Sequence, residues 1–353
     1  ITRVLGVETE HFGELQGAVS VKGMPGELAV RGMVNGIFSG YALDSFRMDM
    51  RWESPVLVLE RVWGTLNGAE VDGYGRIELG DEPGFSVDLD VGGMDLSAGF
   101  IRGRELVETD LSGRISLTYG PSVNGLSISM DLGRGHIKRF PFESGEVLGD
   151  LAGGILHLEQ LDLFSPTHSV LSHGDIGADG SMKLYIDMEC ARQDTFFGYF
   201  GIEEYRAGLD MNGVWEGTFE DWELRTNGEF TGLEYWELSV PDGSANLILE
   251  NIGPFSLQME MKGDSCLVAS LPFHGIELSL TYGAGITTIR NLLLQRPGFS
   301  LDTRGEIRNV GDGVDISIGN GSLDLLGEEW ALGGSPLVTV DGAAVEVEDL
   351  QIH

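Results

Sequence analysis

The sequence predicts an all-β protein built as an array of repeated β units. Three observations carry this. First, the stretch Val56–Val91 recurs. Moving 99 positions along places Ile155, Leu158, Glu159, Leu161, Val170, Gly174 and Ile176 on Val56, Leu59, Glu60, Val62, Val71, Gly75 and Ile77 without a gap. Moving 230 positions gives Ile286, Ile289, Arg290, Leu292, Leu301, Gly305 and Ile307. Fixed internal periods are the mark of a repeat architecture. Second, apolar and polar residues alternate with period two, as half-buried strands require. Third, 53 of 353 residues are glycine, and they punctuate the alternating runs as turns would.

In chain order, residues 1–55 are leading strands, with alternation at Glu14–Val21 and Phe46–Trp52. Residues 56–154 form the first unit, 155–285 the second, and 286–353 the third with the start of a fourth. All are expected to form one continuous elongated domain. Each unit turns into a strand: Phe85–Val91, Met182–Met188 and Val314–Ile318. Further strands are expected at Leu111–Leu117, Leu126–Leu132 and Phe255–Met261. Within a unit, Leu156 and Leu158 are in one phase and Leu161 and Leu163 in the other. That step demands a bulge or tight bend, and it recurs between Leu59 and Val62 and between Ile289 and Leu292. Residues 194–205 break the alternation behind Asp194, and a short helix or a loop fits them equally. Pro25, Pro83, Pro121, Pro166, Pro241 and Pro297 fall between alternating runs, as turns and edges would have them. Val345–Leu350 echoes the opening of Leu156–Leu163, so the chain is expected to be a piece of a longer protein.

A formal charge of −34 argues against nucleic acid as a partner, because wrapping phosphate needs clustered Lys and Arg. It also opposes adhesion to an anionic membrane surface, while acidic outer faces keep a long sheet soluble. No apolar run is long enough for a membrane helix. Cys190 and Cys266 could pair or stay apart.

Signals for chemistry are poor. The seven histidines show no H-E-x-x-H pattern, and a metal role for the neighbouring His168 and His173 is less expected than loop packing. There is no G-x-S-x-G elbow and no Walker loop. Gly311–Asp315 reads as a hairpin turn sooner than a calcium loop, since alternate oxygens give way at once to a strand. The aromatics Trp215, Phe219, Trp222, Phe230, Tyr235 and Trp236 could stack a ligand, though strand-face packing is the commoner role. No catalytic residue, metal or cofactor is expected.

The apolar side itself remains. If the units lie in one sheet, Phe85, Val87, Leu89, Val91, Met182, Leu184, Ile186, Met188, Phe255, Leu257, Met259, Met261, Val314, Ile316 and Ile318 line a single face. Such a face must be covered by a second layer, by curling, or by a ligand. Its four methionines suit adaptable contact with flexible chains, and they also fill ordinary cores.

The recurring form L-x-L-E-x-L-x-L followed by a Gly-x-Ile return strand resembles the TamB and AsmA-like envelope proteins. So does Glu329–Pro336, followed by Val345–Leu350. The resemblance implies a taco- or tube-like β-sheet bridge in the periplasm, anchored to the inner membrane by a segment outside this chain. Its hydrophobic groove would carry phospholipid acyl chains between the membranes. It also implies an outer-membrane barrel partner bound through regions outside the chain. The rival expectation is a sealed β-solenoid or sandwich stalk, adhesin-like, and a glycan-acting enzyme on a β scaffold comes third.

Overall fold

The computed structural model describes residues 15–24, 27–38, 41–80, 82–94, 109–120, 125–137, 140–191, 205–218, 220–235, 238–251, 255–268, 270–310, 313–341 and 344–352. Among them lie twenty-six strands of one antiparallel sheet and no helix. The all-β expectation holds. The possible helix at 194–205 lies outside the described residues, except that Tyr205 opens a strand. By its contacts the chain forms two compact units, residues 1–186 with 217–220, and 187–216 with 221–353.

The first unit begins with β1 (Leu15–Met24), β2 (Glu27–Phe38) and β3 (Tyr41–Glu53). Next come β4 (Val56–Leu66), β5 (Ala69–Glu78) and β6 (Gly84–Met94). After these are β7 (Thr109–Tyr119), β8 (Leu126–Leu132), β9 (Gly135–Ile137) and β10 (Phe140–Phe142). It ends with β11 (Ser144–Ala152), β12 (Ile155–Phe164), β13 (His168–Gly177) and part of β14 (Ser181–Cys190). Each long strand from β1 to β8 pairs with the next, and β8 then passes to β11. Among the described residues β1 has β2 as its one partner.

The second unit holds the rest of β14, most of β15 (Tyr205–Thr218), β16 (Trp222–Tyr235), β17 (Leu238–Glu250) and β18 (Ser256–Gly263). These lead to β19 (Cys266–Val268), β20 (Leu271–Phe273), β21 (Gly275–Gly283) and β22 (Ile286–Arg296). β23 (Phe299–Val310), β24 (Gly313–Leu325), β25 (Glu328–Asp341) and β26 (Ala344–Ile352) complete it. β26 has β25 as its one described partner.

The anticipated phase step is present in all three copies. The β4–β5 register shifts between Leu59 and Val62, β12–β13 between Leu158 and Leu161, and β22–β23 between Ile289 and Leu292. Directly across from Leu59, Leu158 and Ile289 stand Gly75, Gly174 and Gly305. A Cβ built on any of the three would run into the next strand's backbone, at the carbonyl of Ser86, Lys183 or Ser317. The bulge turns both phases of one strand inward, and the glycine lets the neighbouring backbone close over the bend.

The repeat also contains a hairpin that the alternation does not announce. β7 pairs first with β8 and then with β9, and β17 likewise with β18 and then β19. Each is followed by a three-residue return strand, Phe140-Pro141-Phe142 or Leu271-Pro272-Phe273, 131 positions apart. The leading strands hold a counterpart in the ends of β2 and β3, where Gly36 pairs with Leu43 beyond a register shift. Phe142 is 1% exposed and packs with Leu111, Leu132 and Leu163. His168 fixes the hairpin from outside: its Nε2–H donates to the Pro141 carbonyl at 2.6 Å, its Nδ1 lies 2.9 Å from Ser165 Oγ, and its ring meets Phe140. We expect Phe142→Ala to cost about 3–5 kcal/mol, read as a lower denaturant midpoint. An unchanged midpoint would show that the hairpin packs too loosely to matter.

One turn expectation is corrected. Pro241 lies inside β17, not between strands. It falls between Ser239, where β17 pairs with β19, and Ser244, where pairing with β18 begins, so no ladder hydrogen bond needs its missing N–H. The second copy is longer than the first because the strands β15 and β16 stand between β14 and β17, the counterpart of β7.

Candidate functional site

The candidate site is the apolar face, and register shows how it is assembled. In the first unit, Leu89 on β6 faces Ile115 on β7, which faces Met130 on β8, then Val147 on β11 and Leu161 on β12. Two rows over, Phe85, Tyr119, Leu126, Leu151, Leu156 and Ile176 follow each other across the same strands and β13. Phe85 and Tyr119 stack at 5.9 Å between ring centroids. Between these rows run Val87, Leu117 and Ile128. Cross-strand neighbours of this kind are the unit of sheet stabilisation. Val91 packs with Ala69, Val71 and Ile115 in a buried cluster.

In the second unit Leu257 stands between Leu249 and Tyr282, Met259 between Leu247 and Leu280, and Met261 between Ala245 and Leu278. Ile316 sits between Ile307 and Val338, and Ile318 opposite Gly305. Val314 pairs with Asn309 and Val340 in register. Phe255 lies just before β18. Met182, Leu184, Ile186 and Met188 alternate along β14 against exposed Lys183, Tyr185 and Asp187.

Burial divides these residues into two groups. Leu257, Met259 and Met261 are only 1–3% exposed. Met182, Leu184, Met188 and Val91 are buried as well. Phe85, Val87, Leu89, Ile186, Phe255, Ile316 and Ile318 are half-buried. Along one row of the second unit, exposure rises from Ile276 and Leu294, both buried, through half-buried Leu301 and Leu323 to Trp330 at 39%. A few hydroxyls interrupt the face. Ser172 and Thr226 are buried there with no hydrogen-bond partner for their oxygens.

The opposite face is charged. A row through Asp72, Asp90, Arg114, Asp131, Glu146 and Asp162 crosses β5 to β12. Arg61 bonds Asp72 and Arg114 reaches Asp90 at 3.3 Å. The hydrogen bond from Arg61 holds the Asp72 carboxyl below its ordinary range. That contribution exists above the unfolded carboxylate pKa and is lost as pH falls through the lowered one. Both groups are about half exposed, so solvent screening leaves it small. Burial pushes the Cys266 thiol up, and Cys190 and Cys266 are not joined to each other.

No protein-family model matches this chain, and no curated protein matches it.

The other candidate features resolve as packing. Trp215 and Trp222 meet edge to face at 5.6 Å, while Trp222 and Phe230 are buried. Phe219 and Trp236 lie outside the described residues. His173 stacks on Tyr185 at 5.1 Å, on the face opposite the apolar rows. Among the described residues no three His, Cys, Asp or Glu side chains come together as a metal site. Val310 pairs with Gly313, so Gly311 and Asp312, themselves outside the described residues, lie between the two strands of a hairpin. Sequence reasoning missed Phe142 and Phe273, whose signal was a Pro-Phe pair repeated 131 positions on, the distance from Ile155 to Ile286.

Proposed function

We propose that this chain is a segment of a periplasmic TamB/AsmA-like bridge. In this reading it shields phospholipid acyl chains along a hydrophobic β groove between the two membranes, with no catalytic step. Its sheet would curve into a taco-like trough, and inner-membrane anchoring and a barrel partner would involve regions outside the chain. The observation that carries the reading is the unbroken passage of apolar rows from strand to strand, five or more strands wide, opposite a face dense in carboxylates. Such rows offer acyl chains a surface without a specific polar hold, so chains could slide along it. The half-buried positions Val87 and Ile316 are where an acyl chain could be met.

A second reading is favoured by a different observation. Leu257, Met259 and Met261 are nearly inaccessible, as in a sealed structural stalk. The two readings part on lipid content. Native mass spectrometry with lipid extraction, on protein purified from a bacterial host, should find phospholipid near one per chain. Val87→Asp and Ile316→Asp should lower it about tenfold, because a carboxylate against an acyl chain costs more than 1.4 kcal/mol. Strand content by circular dichroism should stay unchanged. A stable, lipid-free wild-type protein would favour the stalk.

A further inference from the structure

One arginine departs from the pattern of the others. Arg51, Arg61, Arg76, Arg114, Arg225 and Arg308 each meet a carboxylate. Arg296, the last residue of β22, is half-buried and makes no ion pair or hydrogen bond among the described residues. Register puts it on the apolar side. It stands opposite Phe299, in the row beside Leu294 and Leu301, and Leu301 leads on to Leu323. Its guanidinium carbon lies 4.9 Å from the Phe299 ring centre and 5.5 Å from that of Phe273. The rings attract the cation but give its five N–H donors no oxygen to bond.

The repeat shows that the fold does not require a cation here. Ser165-Pro166-Thr167-His168 and Arg296-Pro297-Gly298-Phe299 are the same turn, 131 positions apart, and Phe142 and Phe273 correspond in the same way. In the earlier copy the polar groups answer one another, since His168 spans Ser165 and the Pro141 carbonyl. Shifted back a further 99 positions, the places hold Leu66 and Ala69, which need no partner. Only the later copy sets a cation there, and it goes unpaired although Asp and Glu outnumber Lys and Arg by 56 to 22.

An unpaired cation at the margin of an apolar face suits an anionic amphiphile. The guanidinium fork matches two oxygens of a phosphate, and half-buried Leu301 and Leu323 extend the apolar surface beside it. We infer that Arg296, packed against Phe273 and Phe299, binds the phosphate of a phospholipid headgroup whose acyl chain lies over Leu301 and Leu323. This site presupposes the reading of the apolar face as an acyl-chain surface. The rows themselves give no polar hold, so Arg296 fixes where a sliding amphiphile stops. The surrounding negative charge repels small free anions, and retention therefore needs the acyl chain as well.

Isothermal titration calorimetry of the full chain at physiological ionic strength tests the site, with dihexanoylphosphatidic acid, dihexanoylglycerol and inorganic phosphate as probes. Wild type should bind dihexanoylphosphatidic acid about tenfold more tightly than either of the others. Arg296→Gln should lower that affinity about tenfold, the loss expected for a hydrogen bond to a charged group, and leave dihexanoylglycerol binding unchanged. Arg296→Lys, which keeps the charge without the fork, should fall between. Leu323→Ala should weaken both amphiphiles by a similar factor. An Arg296→Gln variant that binds dihexanoylphosphatidic acid like wild type, or loses both amphiphiles equally, would overturn the headgroup site and leave the acyl-chain surface standing. Inorganic phosphate held as tightly as dihexanoylphosphatidic acid, and lost in Arg296→Gln, would make the occupant a free anion and overturn the lipid assignment. A wild type that binds neither amphiphile would remove the acyl-chain surface itself, and the site with it.

Discussion

Met259→Asp is expected to unfold the second unit. Its side chain is 3% exposed and lies between Leu247 and Leu280, so a carboxylate there has neither water nor a cation. Lost packing and an unpaired buried charge together cost about 5 kcal/mol or more, comparable to the whole stability of a small domain. The sign of the pH dependence separates the causes. Burial raises the folded pKa of the introduced carboxyl, so the charge penalty is full above that raised pKa. It shrinks as pH falls and vanishes below the unfolded value of about 3.9. The difference in stability between variant and wild type should therefore narrow in acid, whereas Met259→Asn should show a difference independent of pH. Hydrogen exchange supplies the local readout: protection in β17, β18 and β21 should be lost. Wild-type protection in Met259→Asp at neutral pH would mean that the face opens readily there, as a groove must.

The prediction also marks where the sequence stopped being informative. Alternation places Met259 and Ile316 on one apolar side, and in register each has apolar neighbours. Alternation is identical for a covered strand and a half-covered one, so the nearly complete burial of Met259 and the partial burial of Ile316 could not be told apart. The bulges were legible because a phase step between Leu158 and Leu161 has few backbone solutions. The β9 and β19 hairpins were not, because three-residue strands carry too little alternation to register, and only the Pro141-Phe142 and Pro272-Phe273 pairs mark them. The strands β15 and β16 were hidden for a different reason. They alternate like the rest, as in exposed Arg225 between buried Leu224 and Thr226, so nothing in their own pattern distinguishes them as an addition to the repeat.

Gly174→Val should destabilise the first unit by about 3 kcal/mol or more, through backbone strain and overpacking together. Gly174 has φ of +143°, which L side chains rarely adopt, and its Cβ would collide with the carbonyl of Lys183 and lie 3.0 Å from the Cα of Leu184. Gly80 is the control: it is exposed, with nothing within 4 Å of a built Cβ. Gly80→Val should therefore stay within about 0.5 kcal/mol of wild type. Chemical denaturation of both variants decides the matter, and equal midpoints would remove the close approach from the argument. The effect should exceed a local clash for a reason built into the repeat. Leu158 stands across from Gly174 at the point where β12 changes phase, so that Leu156 and Leu158 before the bulge and Leu161 and Leu163 after it share one face. Holding β13 away from β14 at the glycine frees their register to slip, and a slip of one residue turns every apolar side chain of β13 toward the charged side. Gly75 and Gly305 occupy the same position in their copies, so Gly75→Val and Gly305→Val should be costly through the same collision with the next strand's carbonyl, without the backbone strain of Gly174.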